Sequence, residues 1–136
     1  MTKAIGTVLD DIYDAWRAQN LDWLATYLPE DFSHRINIPP EMHPLGGARL
    51  GKKASLERLA LIFSQFDTQR LNTSHPVING GQAALEVKTL CLHRPTGACL
   101  DTTKNNVWTL EDGWPTQLDE YYDIARFQAF MLSAVT

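Results

Sequence analysis

The spacing of apolar residues predicts helices in the first half of the chain. Residues 3–18 repeat apolar side chains at helical spacing and predict an amphipathic helix. Asn20 is a typical N-cap for a short second helix, which Pro29 ends. The third helix is predicted from one further periodic set, which comprises Leu56, Leu59, Ala60, Phe63 and Phe66.

One strand and one loop separate the second and third helices. Phe32, His34, Ile36 and Ile38 alternate with polar residues, which predicts a strand with one mostly apolar face. Residues 39–51 are dense in Pro and Gly and predict a structureless loop. A loop of this length is uncommon in a small domain and is often functional, so we expect it beside the mouth of a cavity.

The second half of the chain has the pattern of strands. Residues 71–79, 82–93, 98–110 and 115–123 are separated by Gly-, Pro- or Asp-bearing turns, which predicts an antiparallel meander. A final helical turn or two is expected from Ile124 onward. Helices followed by a meander predict an α+β fold, in which one curved, mostly antiparallel sheet wraps around the helices. We interpret residues 1–136 as one such domain, with a hollow at the open end where a ligand binds.

The composition limits the classes of binding partner that we expect for this chain. The formal net charge is −4 and no cluster of Lys and Arg occurs, so we expect no nucleic-acid partner. No apolar run approaches the ~20 residues of a membrane-spanning helix, and the first residues lack the pattern of a signal peptide. We therefore expect a cytoplasmic protein with no membrane partner. Cys91 and Cys99 are expected to be free thiols.

Two segments resemble a known family. NNVWTLEDGW followed by LDEYYDIARF, within residues 105–127, resembles the closing hairpin of SnoaL-like domains in the nuclear transport factor 2-like superfamily. DFSHRINIP at residues 31–39, which leads through a Gly-rich loop to GKKASLERL, is a second similarity. The resemblance implies a cone-shaped α+β barrel and a homodimer formed through the sheet. It does not imply one reaction, since the family includes cyclases, isomerases, hydrolases, dehydratases and proteins without a known reaction.

The resemblance places some site residues and leaves others open. Asp123 of EYYD resembles the acid/base aspartate of the cyclase branch, and Tyr13 is similar in place to a first-helix Tyr of the isomerase-like members. Ile38 precedes Pro39 where those members carry a base, so that base is missing here. The Arg of the hydrolase-like members has no clear counterpart.

The residues themselves leave two roles open for Asp123. On a strand it shares a face with Tyr121, Asp119 and Gln117, and a carboxylate near aromatic rings suits an acid or base. Its position just before the last helix equally suits an N-cap. His34 has two readings as well: it is either a hydrogen-bonded core residue or the partner of Asp123 in one cavity.

Aromatic residues are numerous for so short a chain and suit the walls of a cavity for a flat ligand. The expected wall residues are Tyr13, Trp16, Tyr27, Phe32, Ile36, Trp108 and Tyr121. Asn106 and Trp108 share a strand face that Lys104 continues outward, and that face suits either the cavity or a dimer surface.

No motif indicates a metal, a cofactor or a covalent nucleophile. His43, His75 and His93 have no metal-ligand spacing, and GGARLG does not fit a nucleotide-binding fingerprint. We therefore expect an enzyme without a cofactor, an isomerase, cyclase, dehydratase or hydrolase that acts on a small apolar or aromatic molecule with Asp123 and His34. The alternative is a ligand-binding or dimerisation module without catalysis.

Overall fold

The computed structural model describes residues 4–134 as four helices and seven strands. The helices are α1 (Ile5–Arg17), α2 (Leu21–Tyr27), α3 (Lys52–Gln65) and α4 (Ile124–Ala134). The strands are β1 (Ser33–Ile36), β2 (Gly47–Arg49), β3 (Phe66–Thr73), β4 (Val77–Asn79), β5 (Gln82–His93), β6 (Cys99–Glu111) and β7 (Trp114–Tyr122).

The strands form one curved sheet in the order β2-β1-β7-β6-β5-β3, with β4 also paired to β5. Strands β3, β5, β6 and β7 pair antiparallel, which confirms the meander. Strand β1 adds to β7 in parallel. The α+β fold with a mostly antiparallel sheet is therefore confirmed. The edge strands β2 and β3 do not pair, so the sheet is an open cone and not a closed barrel.

Register shifts in two strands help the sheet to curve. One lies between Thr68 and Arg70 in β3, and the other between Thr109 and Leu110 in β6. Such bulges bend a strand and increase its twist. The helices α1 and α3 lie on the concave side, where the apolar face of α1 is buried.

Several predicted boundaries are wrong. Strand β3 begins at Phe66 and not at Leu71, so Phe66 belongs to the strand and not to the third helix. The predicted strand 71–79 is divided between two strands, β3 and β4. The chain leaves the sheet at residues 74–76, because Pro76 has no backbone N–H to donate to a neighbouring strand. The last helix, α4, has 11 residues and about three turns, more than predicted.

The predicted loop at residues 39–51 contains a short strand. Strand β2 pairs antiparallel with β1, with Gly47 opposite Ile36. Gly46 makes this close approach possible, since a Cβ there would lie 2.0 Å from the carbonyl oxygen of Ile38. Gly47 has φ +84°, which favours glycine. The segment thus folds back on β1, and its Leu45 is buried.

Two apolar clusters fill the cone. The larger one joins α1, α2 and the inner face of the sheet around Leu24, Leu59 and Leu118. The smaller one lies at the open end, where α4 contributes Phe127 and Phe130. Among the helices that the structure describes, none is long and apolar enough to cross a membrane.

Candidate functional site

A cavity opens where the two apolar clusters meet. Its volume is about 60 Å³, several times the roughly 10–15 Å³ that one water molecule needs. Its apolar lining residues are Trp16, Ile36, Ile38, Leu45, Ile62, Phe63, Phe66, Leu71, Leu100 and Phe127. Its polar side chains are those of Thr68, Thr89, Cys91, Lys104 and Tyr122. An apolar wall with few polar groups is typical of a small-molecule site.

Lys104 is the only charged residue on this wall among the described residues. It lies on the inner face of β6 and its side chain is 6% exposed. Its Nζ contacts Oε1 of Glu120 at short range and donates to the hydroxyl of Tyr122 at 3.3 Å. The ammonium also lies 5.8 Å from the ring centre of Trp16 and 5.1 Å from that of Tyr122. These contacts hold a cation at the edge of an apolar space.

Glu120 joins Lys104 to His34. Its Oε2 lies 2.5 Å from Nε2 of His34, and both side chains are almost fully buried. The parallel pairing of β1 with β7 produces this contact, because it places Ile36 opposite Glu120 and His34 two residues away on the same face. We call Lys104, Glu120 and His34 the charged cluster.

The charged cluster holds one positive and one negative charge. Burial alone would raise the pKa of Glu120, but the charge of Lys104 and the hydrogen bond with His34 outweigh it and lower that pKa. Burial would lower the pKa of Lys104, but the charge of Glu120 outweighs it and raises that pKa. Burial also lowers the pKa of His34, so its imidazole is neutral near pH 7. The neutral ring donates its Nε2 proton to the carboxylate, which leaves an Nδ1 lone pair without a partner in the described structure.

Arg58 of α3 supports the cluster from outside the cavity. Its guanidinium donates to the carbonyl oxygens of His34 at 2.8 Å and Gly47 at 2.7 Å. It also donates to those of Leu45 and Gly46 at 3.4 Å each. Arg58 therefore fixes the 39–51 segment against β1 through one buried side chain.

Two hydrogen-bond donors face the cavity together. Burial raises the pKa of Tyr122 to about 12, so its hydroxyl keeps its proton at neutral pH. Lys104 has three N–H groups, of which Glu120 and Tyr122 accept two, and residues 4–134 supply no acceptor for the third. A ligand oxygen placed beside both groups would accept two hydrogen bonds, one of them from a cation.

Comparison with known proteins identifies the family. Residues 9–115 match the family model of the SnoaL-like domain, which covers more than half of the chain. The chain belongs to the SnoaL-like domain family. No curated protein is significantly similar to it in sequence.

Solved structures show the same fold at low sequence identity. A proposed isomerase from Rhodopseudomonas palustris is 23% identical, with a TM-score of 0.82 over 97% of this chain and 98% of that chain. A proposed SnoaL-like polyketide cyclase from Mesorhizobium loti is 19% identical, with a TM-score of 0.71 over 88% and 100%. A LEH-like epoxide hydrolase from M. tuberculosis is 12% identical, with a TM-score of 0.76 over 96% and 91%. These similarities show a shared fold and not a shared reaction.

The predicted wall residues of this SnoaL-like domain separate into two groups. Trp16 and Ile36 line the cavity. Tyr13 and Trp108 do not, because they hydrogen-bond to each other at 2.9 Å in the larger apolar cluster. Phe32 is sealed in the same cluster.

Tyr27 and Tyr121 also lie away from the cavity. Tyr27 stacks on Trp23 with ring centres 4.7 Å apart, and it lies 5.4 Å from the ring of Trp114. Tyr121 is 50% exposed, because odd-numbered residues at this end of β7 point to the outer face of the sheet.

Asp123 is an N-cap and not a cavity residue. Its side chain is exposed, and its Oδ1 accepts a hydrogen bond from the backbone N–H of Arg126 at 3.1 Å. The expectation that its carboxylate points inward is wrong, because β7 ends at Tyr122 and the inward positions are those of Leu118, Glu120 and Tyr122. His34 contacts Glu120 behind the cavity wall and does not meet Asp123.

Sequence reasoning missed Glu120 and Tyr122. It placed Lys104 on the strand face of Asn106 and Trp108 and left open whether that face borders the cavity or a dimer surface. The alternation already contained the signal. Trp108 is apolar and inward, so the same face of β6 continues inward to Lys104, which is buried. Leu118 marks the inward face of β7 in the same way.

The histidines at the open end pack against aromatic rings. His43 contacts Phe127 edge-on at 5.4 Å, and His93 contacts Phe130 at 5.7 Å. Within the described part of the chain, no group of three His, Cys, Asp or Glu side chains is arranged to hold a metal ion.

Proposed function

We propose that this SnoaL-like domain binds a small, largely apolar molecule in the cavity and holds one oxygen of that molecule at Lys104 and Tyr122. The observation that carries the proposal is the pair of adjacent donors on an otherwise apolar wall. An apolar ligand frame would fill the space beside Trp16 and Phe127. The two donors would then fix its orientation.

We further propose that the bound molecule undergoes an acid–base rearrangement of the isomerase, cyclase, dehydratase or hydrolase type. Donors aimed at an oxygen stabilise the negative charge that develops there when a neighbouring C–H bond is broken. The names of the structural neighbours, an isomerase, a polyketide cyclase and an epoxide hydrolase, fall within this range. In this proposal Lys104 and Tyr122 stabilise charge, while Glu120 and His34 keep Lys104 charged and in place.

A non-catalytic binding module is the second candidate. The observation that favours it is that the pKa values of Glu120 and Lys104 are both shifted away from neutrality, whereas an efficient general base has a pKa near the working pH. Glu120 is held ionised by Lys104, and Lys104 is held protonated by Glu120. Turnover distinguishes the two candidates.

Binding is tested by thermal unfolding with acetophenone and with ethylbenzene, which lacks the oxygen. Acetophenone should stabilise the protein more than ethylbenzene at the same concentration; a ligand at one hundred times its Kd adds about 2.7 kcal/mol. Tyr122→Phe removes one donor and should weaken acetophenone binding by roughly two- to twelvefold, or about 0.5–1.5 kcal/mol.

Tyr121→Phe is the matched control, because the neighbouring hydroxyl lies on the outer face. Equal effects of the two substitutions would contradict the proposed site. Catalysis is tested by incubating a panel of enolisable ketones, lactones and epoxides with the protein and following each by mass spectrometry. Turnover that Tyr122→Phe lowers by about 10²-fold or more supports an enzyme. Compounds that bind and are recovered unchanged support the binding module.

We also propose a homodimer formed through the outer face of the sheet, as the family resemblance implies. The exposed Tyr121 and the partly buried Val107 lie on that face. Sedimentation equilibrium should give twice the mass of one chain, and Tyr121→Asp should shift it toward one. A single-chain mass at all concentrations would contradict the dimer.

A further inference from the structure

The charged cluster also indicates what kind of oxygen the ligand carries, and this inference rests on the ligand site proposed above. We infer that the site selects an uncharged carbonyl oxygen over a carboxylate, because Glu120 already serves as the counter-ion of Lys104. A carboxylate would enter only together with a proton.

The first step is the charge balance at the cavity wall. Lys104 contacts Glu120 directly, and their side chains are 6% and 1% exposed. Because His34 is neutral, the charged cluster has no net charge. A carboxylate bound at Lys104 would place a second anion on one buried cation. Two carboxylates that share a buried site resist ionising together, so one of them is expected to take up a proton.

The second step is whether another cation could balance that carboxylate. The titratable groups that act on the cluster are Tyr13 of α1, Arg58 of α3, His34 of β1, Cys91 of β5, Lys104 of β6, and Glu120 and Tyr122 of β7. Arg58 is the only other cation among them. Its two terminal nitrogens donate to backbone carbonyls of the 39–51 segment and β1, and its Nε has no hydrogen-bond partner in the described structure. Arg58 does not line the cavity, so it is not placed to balance a carboxylate bound at Lys104.

The third step is where the proton would go. Glu120 can accept it, and so can Nδ1 of His34, a buried nitrogen without a partner in the described structure. Either site restores a neutral cluster around the bound carboxylate. An uncharged carbonyl needs no such proton, because it accepts from Lys104 and Tyr122 without adding a charge.

Calorimetric titration of the wild-type protein tests the inference with acetophenone and benzoate, which share a phenyl ring. Each is titrated in two buffers that differ in ionisation enthalpy, which gives the number of protons taken up. Acetophenone should bind without proton uptake and with an affinity independent of pH between pH 6 and 8. Benzoate should bind more weakly and take up one proton, and its affinity should fall about tenfold per pH unit as the pH rises.

Glu120→Gln tests the cause. It keeps the shape of the side chain but removes the competing anion, so benzoate should now bind at least as tightly as acetophenone. Glu86→Gln, on the exposed face of β5, is the control and should keep the wild-type preference. A gain of carboxylate binding is a result that a merely structural role for Glu120 would not produce. If the variant does not fold, the wild-type proton count alone decides.

The outcomes separate the two proposals. If acetophenone binds and benzoate binds equally well without proton uptake, the charge selection is wrong and the ligand site stands. If acetophenone stabilises the protein no more than ethylbenzene does, the ligand site is wrong, and the inference falls with it.

Discussion

Two buried polar clusters lie at neighbouring positions on the inner face of β6. One is the charged cluster of Lys104, Glu120 and His34 beside the cavity. The other, which we call the neutral cluster, consists of Tyr13, Asn106 and Trp108. In the neutral cluster the hydroxyl of Tyr13 accepts from Nδ2 of Asn106 at 2.7 Å and from Nε1 of Trp108 at 2.9 Å.

The clusters differ in charge and in access to the cavity. The neutral cluster is sealed in the larger apolar cluster, and its hydrogen bonds tie α1 to the sheet. The charged cluster has one member, Lys104, on the cavity wall. A buried ion pair is a weak source of net stability, whereas in the neutral cluster the Tyr13 hydroxyl accepts from the buried donors of Asn106 and Trp108. Asn106 and Lys104 are therefore only two positions apart on β6, yet the cluster around Asn106 has a structural role and the cluster around Lys104 is suited to a ligand.

The largest expected effect comes from removing one charge of the ion pair. Lys104→Met leaves Glu120 as a buried anion without its cation, so the free energy of unfolding should fall by about 3–5 kcal/mol. Urea unfolding measures it. Lys88→Met, on the exposed face of β5, should change stability by less than about 0.5 kcal/mol. Adding Glu120→Gln to Lys104→Met should recover part of the loss; no recovery would show that the pair is not coupled.

Lowering the pH should reduce the free energy of unfolding through the charged cluster and not through the neutral cluster. The folded-state pKa of Glu120 lies below its ordinary value of 4.5, and that of His34 lies below 6.5. Each group therefore adds stability that is present above its ordinary pKa and is lost as the pH falls through its folded-state pKa. Urea unfolding from pH 7 to 3 should show declining stability. Glu120→Gln should flatten the part below pH 4.5, whereas Tyr13→Phe should leave the slope unchanged. A Glu120→Gln curve parallel to the wild type would contradict this assignment.

A smaller loss is expected in the neutral cluster. Tyr13→Phe leaves two buried donors, on Asn106 and Trp108, without their acceptor, which should cost about 1–3 kcal/mol. Acetophenone affinity should stay the same, since this hydroxyl does not reach the cavity. Tyr122→Phe should show the opposite profile, with weaker binding and a smaller loss of stability. If both substitutions weaken binding equally, the contrast between the clusters is wrong.

The smallest expected effect concerns a carboxylate outside both clusters. Asp123→Ala removes the N-cap of α4 and should cost about 1 kcal/mol, while Asp123→Asn keeps a capping oxygen and should be nearly neutral. Neither substitution should alter ligand binding, measured by thermal unfolding, or any turnover, measured by mass spectrometry. Loss of turnover in the Asn variant would restore the acid/base role to Asp123.

Local patterns predicted most of the fold. Helical spacing, Asn20 as a cap and the Gly-bearing turns depend on neighbours within a few residues, so they appear directly in the sequence. The wrong boundaries lie where a tertiary contact prevails over local spacing. Phe66 fits the period of α3 but pairs with His93 across β3 and β5.

The site was predicted less well, for a physical reason. Alternation states which residues share a face, yet it does not state which face is inside when both carry polar and aromatic groups. EYYD contains two carboxylates, and the resemblance pointed to Asp123, which lies just beyond the end of β7, and not to the inward Glu120. Lys and Glu ordinarily lie on the surface and are fully buried only when they are paired. The burial of Lys104 and Glu120 could therefore be predicted only by knowing that they contact each other.

The sequence by itself determined the element types, the α+β order, the meander and the family to which the chain belongs, because these depend on periodicity and turn chemistry along the chain. Only the tertiary structure decided the site. The parallel pairing of β1 with β7 brings His34 to Glu120 across 86 positions of sequence separation, and the β6–β7 pairing brings Lys104 to the same carboxylate. A buried charge is tolerated only where its counter-charge and hydrogen-bond partners converge on it, and that convergence is a property of the folded chain.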